Sequence, residues 1–268
     1  MAPKMATKVA PKMAPSMKRA AQKQQAEESE RVPAVNWPSF QPLLPVEHLS
    51  LHHLLEGQIC TIPSLLTSTA SRKFTSFLAT LPLITTPGQP KKGHAVRVND
   101  RFQVDDPAFA ERLWTETGLK NLLTGPESQL TADEQLQLWG GKVLGLNPNI
   151  RIYRYTKGQF FAQHYDDSNT VSVGNPAVRS RTTWTLLLYL TSPATGCIGG
   201  ETVFYPEVDV SGKNKNARLP QPKPTVVGLE TGMALLHKHG KECMLHEGRE
   251  VTEGEKWVIR SDLCVSMA

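Results

Sequence analysis

The chain has 268 residues, 39% of them hydrophobic and 21% charged, with a formal net charge of +5. That length and balance suit a globular chain with a sizeable core, and they exclude a collagenous or disulfide-stapled scaffold. The positive charge is local: Lys4, Lys8, Lys12, Lys18, Arg19 and Lys23 all precede the first acidic residue, Glu27, so the bulk charge gives no reason to expect a nucleic-acid partner.

Residues 1–32 repeat "APKM" and hold few large apolar side chains besides Met, too few to offset the entropy of ordering. They read as a disordered basic tail ahead of a single domain, 33–268. No apolar run reaches bilayer length, so no membrane association is expected. The four scattered cysteines and the lack of a secretory-type apolar stretch lead to an expected cytoplasmic or nuclear location.

From about residue 37 to 145 the pattern is mainly helical. "HLSLHHLLEGQI" and "STASRKFTSFLATL" carry apolar residues at three- and four-residue spacing, and Ser68 or Ser71 is placed to cap the second. "DDPAFAERLWTETGL" has an acidic start, Pro107 in the first turn and Gly118 near its end. "TADEQLQLWGGKVLG" starts at a Thr131 cap. Between these helices, a short strand from His94 to Val98 is expected within a loop.

From about residue 149 to 268 the texture changes to short strands separated by Gly and Pro turns, which indicates a sandwich or barrel. In "YTKGQFFAQHYD", His164 and Asp166 sit two apart, so on a strand they project to one face. A third ligand from His237, His239 or His246 would complete two imidazoles and a carboxylate. That donor set with open positions is the facial triad of non-haem Fe(II) oxygenases.

Three segments then resemble the prolyl 4-hydroxylase-like family of Fe(II)/2-oxoglutarate-dependent dioxygenases. "YTKGQFFAQHYD" is similar to its first ligand segment and "GGETVF", Gly199–Phe204, to its Gly-Gly-Glu-Thr signature. "GMALLHKHGKECMLHEGREVTEGEKWV" is similar to its third segment, and all three come in the family's order. The resemblance implies an α+β fold: a double-stranded β-helix, a jelly-roll or cupin-like barrel flanked by N-terminal helices. It selects His246 as the third ligand, because only from His246 does the chain reach Val251, Gly254 and Lys256 at the family's spacing. His237 and His239 are then expected to be surface or loop histidines.

The resemblance also implies 2-oxoglutarate as co-substrate with O2, and ascorbate is a candidate reductant. Lys256 is favoured to hold the far carboxylate of 2-oxoglutarate, with Arg260, of the same strand parity, as competitor. Tyr155 stands where the family places a co-substrate-bonding tyrosine. Thr185 and Tyr189 share a strand face from which their hydroxyls could help hold the same carboxylate. The implied reaction is hydroxylation of an unactivated C–H, of a prolyl residue in a protein or peptide, with release of succinate and CO2. The alternatives are the same chemistry on a free amino acid or small metabolite, and a non-catalytic binding barrel. Two polar stretches, "KKGHAVRVNDRFQVDD" and "DDSNTVSVGNPAVRSRT", are expected to read the substrate, the second as a mobile lid.

Overall fold

The computed structural model describes residues 35–86, 93, 95–125, 127–174, 176–206 and 223–267. The basic tail, residues 1–32, lies outside them, as does His94. In chain order the strands are β1 (His52–Leu55), β2 (Ile59–Ile62), β3 (Ile84–Thr85), β4 (Arg97–Val98), β5 (Asp100–Asp105), β6 (Val143–Leu146), β7 (Asn149–Thr156), β8 (Phe160–His164), β9 (Thr170–Val173), β10 (Val178–Tyr189), β11 (Ile198–Gly199), β12 (Thr202–Tyr205), β13 (Thr225–Val227), β14 (Ala234–Lys238), β15 (Leu245–Gly248), β16 (Val251–Glu253) and β17 (Glu255–Ser266).

These strands form two main antiparallel sheets. The larger runs β1-β2-β14-β10-β17-β7-β5-β3, with β6 paired to β17 and β9 to β10; the smaller runs β13-β12-β15-β8-β4. Alternation decides what each face does. On β10, Trp184 points out of the barrel, where its indole N–H donates to Leu138 O at 3.0 Å and its ring meets Trp139 edge-on at 5.2 Å. Thr185, Leu187 and Tyr189 point in. Truncating the fully buried Trp184 to Ala would cost about 3–5 kcal/mol. Between the sheets, Ile59, Tyr189, Phe204, Leu235, Val251 and Val258 form the apolar floor. The fold is a double-stranded β-helix with helices packed against it.

Helix starts follow the chemistry of the caps. Pro107–Glu116 begins on Asp106, whose carboxylate accepts the Phe109 N–H, and Ala132–Trp139 begins on Thr131 in a complete capping box with Glu134. The helix Ser68–Leu78 is capped by Thr67, which accepts the Ala70 N–H, and not by Ser68 or Ser71. Trp37 stacks on Phe109 at 4.1 Å and Phe40 on Phe74 at 5.1 Å, tying the start of the domain to this helical layer.

Three expectations need correction. "HLSLHHLLEGQI" is not a helix but the hairpin β1–β2, turned at Gly57 with φ 66°. Its β-branched, fully buried partner strand β2 gains a ladder with β14, and that pairing overrides the helical spacing. The first half is therefore not only helical support, since β1, β2, β3 and β5 extend the large sheet. The stretch after Asp166 is also not a loose lid: β9 and the start of β10 make a paired hairpin, Thr170 opposite Arg181 and Val173 opposite Val178.

Candidate active site

β8 and β15 are neighbours in the small sheet, with His164 directly opposite His246. That register sets the two imidazoles side by side, ring centroids 4.2 Å apart. Each ring is oriented by its own strand: His164 Nδ1 lies 2.8 Å from Ala162 O and His246 Nδ1 lies 2.9 Å from Met244 O. A carbonyl partner assigns the proton to Nδ1 and leaves the Nε2 lone pair free. β8 ends at His164, so Asp166 follows in the bend, yet its carboxylate still turns back as strand parity requires. His164 Nε2 is 3.8 Å from Asp166 Oδ1, and His246 Nε2 is 3.8 Å from Oδ2.

Asp166 is held from several sides. Its backbone N–H donates to Cys243 Sγ at 3.2 Å, and its carbonyl accepts from Gly240 N at 2.8 Å. Thr185 Oγ1 donates to Oδ2 at 2.8 Å, and Arg260 reaches Oδ1 and Oδ2, both at 3.1 Å. Burial alone would raise the Asp166 pKa, but the Arg260 guanidinium outweighs it and holds the carboxyl well below the usual range. Burial lowers His164 to about 3 and also lowers His246, so the rings are neutral beside a charged carboxylate. That is the protonation state a metal needs from these ligand types.

The same cavity extends to Lys256. This lysine is 5% exposed and donates to Gly200 O at 2.6 Å; its ammonium stands 5.5 Å from the Tyr155 ring and 5.3 Å from the Tyr189 ring. Burial pulls its pKa down to about 8, against a weak opposing pull from Cys197 and Glu201. Among the described residues it makes no ion pair. Gly200, at φ 75°, takes a left-handed conformation that favours glycine, and a Cβ there would crowd Val251 Cγ2 at 3.0 Å and the Lys256 stem at 3.1 Å. Tyr189 Oη and Thr202 Oγ1 share a 2.6 Å hydrogen bond beside it.

Of the expected site residues, His164, Asp166, His246, Lys256, Tyr155, Thr185 and Arg260 all line this one cavity. Thr185 is not at the Lys256 end as expected; its hydroxyl serves Asp166. Arg260 also points the other way, pairing with Asp166 and with Asp262 Oδ1 at 3.4 Å. These two carboxylates raise its pKa despite its burial.

His237 and His239 are not surface histidines: they are 2% and 5% exposed. His239 Nδ1 lies 2.9 Å from Thr185 Oγ1 and its Nε2 lies 2.9 Å from Thr182 Oγ1, an anchor behind Asp166. His237 lines the cavity with Nε2 3.7 Å from Asp166 Oδ2, and that nitrogen has no hydrogen-bond partner. Its parity with Leu235 on a buried strand was the signal that would have placed it inside.

Two clusters bring metal-ligating atoms together: His164, Asp166 and His246, and a second one of His237, Cys243 and His246. In the second, burial raises the Cys243 thiol to about 11, and Sγ already accepts the Asp166 N–H. A thiol held protonated is a poor ligand.

The sequence comparison points to one family. Residues 150–261 match the model of the 2OG-Fe(II) oxygenase superfamily. That segment, which holds His164, Asp166 and His246, is a 2OG-Fe(II) oxygenase superfamily segment. No curated protein matches it significantly. Similar solved structures include a prolyl-4-hydroxylase from Pseudomonas putida, 14% identical with TM-score 0.48, covering 80% of this chain and 96% of that one. Another is HygX from Streptomyces hygroscopicus with nickel and 2-oxoglutarate bound, 17% identical with TM-score 0.47, covering 78% and 84%. A third is the viral collagen prolyl hydroxylase from Paramecium Bursaria Chlorella virus-1 in its 2-oxoglutarate complex, 16% identical with TM-score 0.45, covering 78% and 96%. This oxygenase family uses Fe(II) and 2-oxoglutarate. The donor set of His164, Asp166 and His246 fits the metal, and a buried, unpaired Lys256 in the same cavity fits an anionic co-substrate. Among the described residues, no helix is long and apolar enough to cross a membrane.

Proposed function

We propose that this oxygenase hydroxylates an unactivated C–H of a prolyl residue in a peptide, consuming O2 and 2-oxoglutarate and releasing succinate and CO2. His164, Asp166 and His246 hold Fe(II), and Lys256 binds the far carboxylate of 2-oxoglutarate. When bound, the metal and co-substrate supply the O2 activation and oxidising power that no side chain here has. The chain's own residues do the rest. Thr185 and Arg260 keep Asp166 ionised and aimed, the Ala162 and Met244 carbonyls keep both Nε2 atoms turned inward, and the Phe161, Tyr155 and Tyr189 rings exclude water.

The observation that carries this reading is the ammonium of Lys256. It is buried, has no carboxylate of its own among the described residues, and shares a cavity with the triad. Burying a cation without a partner is costly, and a dicarboxylate is the partner that relieves the cost. The prolyl assignment rests on the motif resemblance. Peptide is favoured over metabolite because a polar groove, lined by Asp105, Asn147, Asn149, Arg151, Asn169 and Ser172, offers an extended chain a place to lie. Its Arg151 pairs with Asp262 at 3.3 Å, and Asp262 pairs in turn with Arg260, which lines the cavity.

The test is mass spectrometry of proline-containing peptides and of free amino acids after incubation with Fe(II), 2-oxoglutarate and O2. The expected product is a peptide carrying one added oxygen on proline. Oxygen added only to free amino acids, or to a residue other than proline, would overturn the substrate assignment.

A further inference from the structure

At one edge of the barrel the chain passes from the small sheet to the large one between β4 and β5, and an arginine stands on each side of the crossing. Arg97, on β4, lies opposite Phe161 in the small sheet, and its guanidinium sits 5.0 Å from the Phe161 ring and 5.6 Å from the Tyr153 ring. Phe161 in turn stacks on the His164 imidazole, centroids 3.6 Å apart. Arg97 is therefore one aromatic ring away from a candidate metal ligand. Arg101, on β5, lies opposite Tyr153 and shares its face of the large sheet. Its Nη2 donates to Gln103 Oε1, a neutral acceptor, at 2.5 Å.

Neither guanidinium has a carboxylate partner among the described residues. The ion pairs of this region belong to Arg151, with Asp262, and to Arg154, with Asp100. Residues 86–96, which lead into Arg97, contain Lys91 and Lys92 but no Asp or Glu, and Asp100, next to Arg101, is already taken by Arg154. Both arginines are partly buried, and burial together with the neighbouring Arg97 and Arg151 cations depresses the Arg101 pKa. Two like charges held half out of water against an aromatic wall are destabilising alone and become favourable when an anion joins them. Guanidinium forks match a carboxylate in particular.

We propose that Arg97 and Arg101 bind a carboxylate of the substrate at the mouth of the barrel, and that the substrate is an acidic peptide with Asp or Glu beside its target residue. This rests on the peptide reading of the same site and names its chemistry. The Arg97–Phe161–His164 stack sets the anion beside the reacting position, and the Asn-lined groove takes the chain beyond it.

The test measures binding separately from turnover. The full chain, loaded with Mn(II) and 2-oxoglutarate, is titrated by fluorescence anisotropy with a short proline peptide flanked by Glu and with its Gln counterpart. The Glu peptide should bind tighter by about tenfold or more, and high salt should shrink the difference. The combined Arg97→Gln and Arg101→Gln protein should lose the preference, and Arg97→Glu with Arg101→Glu should prefer a Lys-flanked peptide. Equal affinity for the Glu and Gln peptides, or no binding of either, overturns the inference. So does competition by free L-proline or free glutamate at the same concentration as the Glu peptide, which would make the source of the carboxylate a metabolite. Tight, charge-dependent binding with no oxygen added to proline would instead sink the prolyl assignment and leave the anion site standing.

Discussion

At the Asp166 end of the cavity each charge meets an opposite one: Asp166 with Arg260, Arg260 with Asp262, Asp262 with Arg151. At the Lys256 end, about 13 Å further along β17 by strand rise, the ammonium meets a carbonyl and two aromatic rings. The two cations share a strand and a parity, so sequence alone left them in competition for the co-substrate. Their partners separate them. Arg260 already works on two carboxylates, while Lys256 is a charge whose partner has to come from a ligand. In a low-dielectric site, the group without a partner is the one that selects what binds.

The largest expected effect breaks the paired end. His164→Ala, Asp166→Ala and His246→Ala should each abolish 2-oxoglutarate turnover, measured as succinate release. Normal succinate from any of the three would remove that residue from the ligand set.

A pH profile sharpens the unpaired end. The Lys256 pKa of about 8 lies below its ordinary 10.5, so the free site loses its positive charge as pH rises through about 8. The 2-oxoglutarate KM should therefore climb between about pH 8 and 10, and Lys256→Arg should flatten the climb. The stability sign runs the other way. Between about 8 and 10.5 the unfolded chain binds the extra proton, so the co-substrate-free protein gains stability as pH rises across that window. A flat KM up to pH 10 in the wild-type protein would contradict the placement of Lys256.

A smaller effect is expected at His237. Its Nε2 is buried without a partner, which costs about 1–3 kcal/mol. His237→Phe keeps the ring volume and deletes the unpaired atom, so the metal-free protein should melt higher by about 2–4 °C for each kcal/mol recovered. A fall in Tm would mean that the nitrogen has a partner worth keeping. The smallest expected effect is that of removing residues 1–32, which should leave Tm and succinate release unchanged; a lower Tm would show that the segment packs on the domain.

What could be read in advance divides along the range of the interaction. His164 and Asp166 were legible because two-residue spacing on a strand is a local rule. His246 and Lys256 were legible because motif spacing carried them. Arg260 stayed a competitor of Lys256 because its partner, Asp166, is 94 positions away, and no local pattern records that pairing. Thr185 went to the wrong end of the cavity for the same reason. The β1–β2 hairpin was missed because apolar residues at Leu51, Leu54, Leu55 and Ile59 match a helix as well as a strand, and the deciding contact is with β14, far along the chain. His237 and His239 were read as surface or loop histidines because only His246 fits the motif spacing, although they lie on and beside a strand whose other residues are mostly buried.

The central claim is that one cavity binds the metal at the paired end and the far carboxylate of 2-oxoglutarate at Lys256. The most direct measurement is calorimetric titration of 2-oxoglutarate into the Mn(II)-loaded wild-type, Lys256→Ala and Arg260→Ala proteins, with Mn(II) affinity measured alongside. Leaving the carboxylate without its cation should cost about 3–5 kcal/mol, so Lys256→Ala should weaken 2-oxoglutarate binding by roughly a hundredfold or more while Mn(II) binding holds. Arg260→Ala should change Mn(II) binding and change 2-oxoglutarate affinity much less. The reverse ranking, with Arg260→Ala losing 2-oxoglutarate and Lys256→Ala keeping it, would contradict the account.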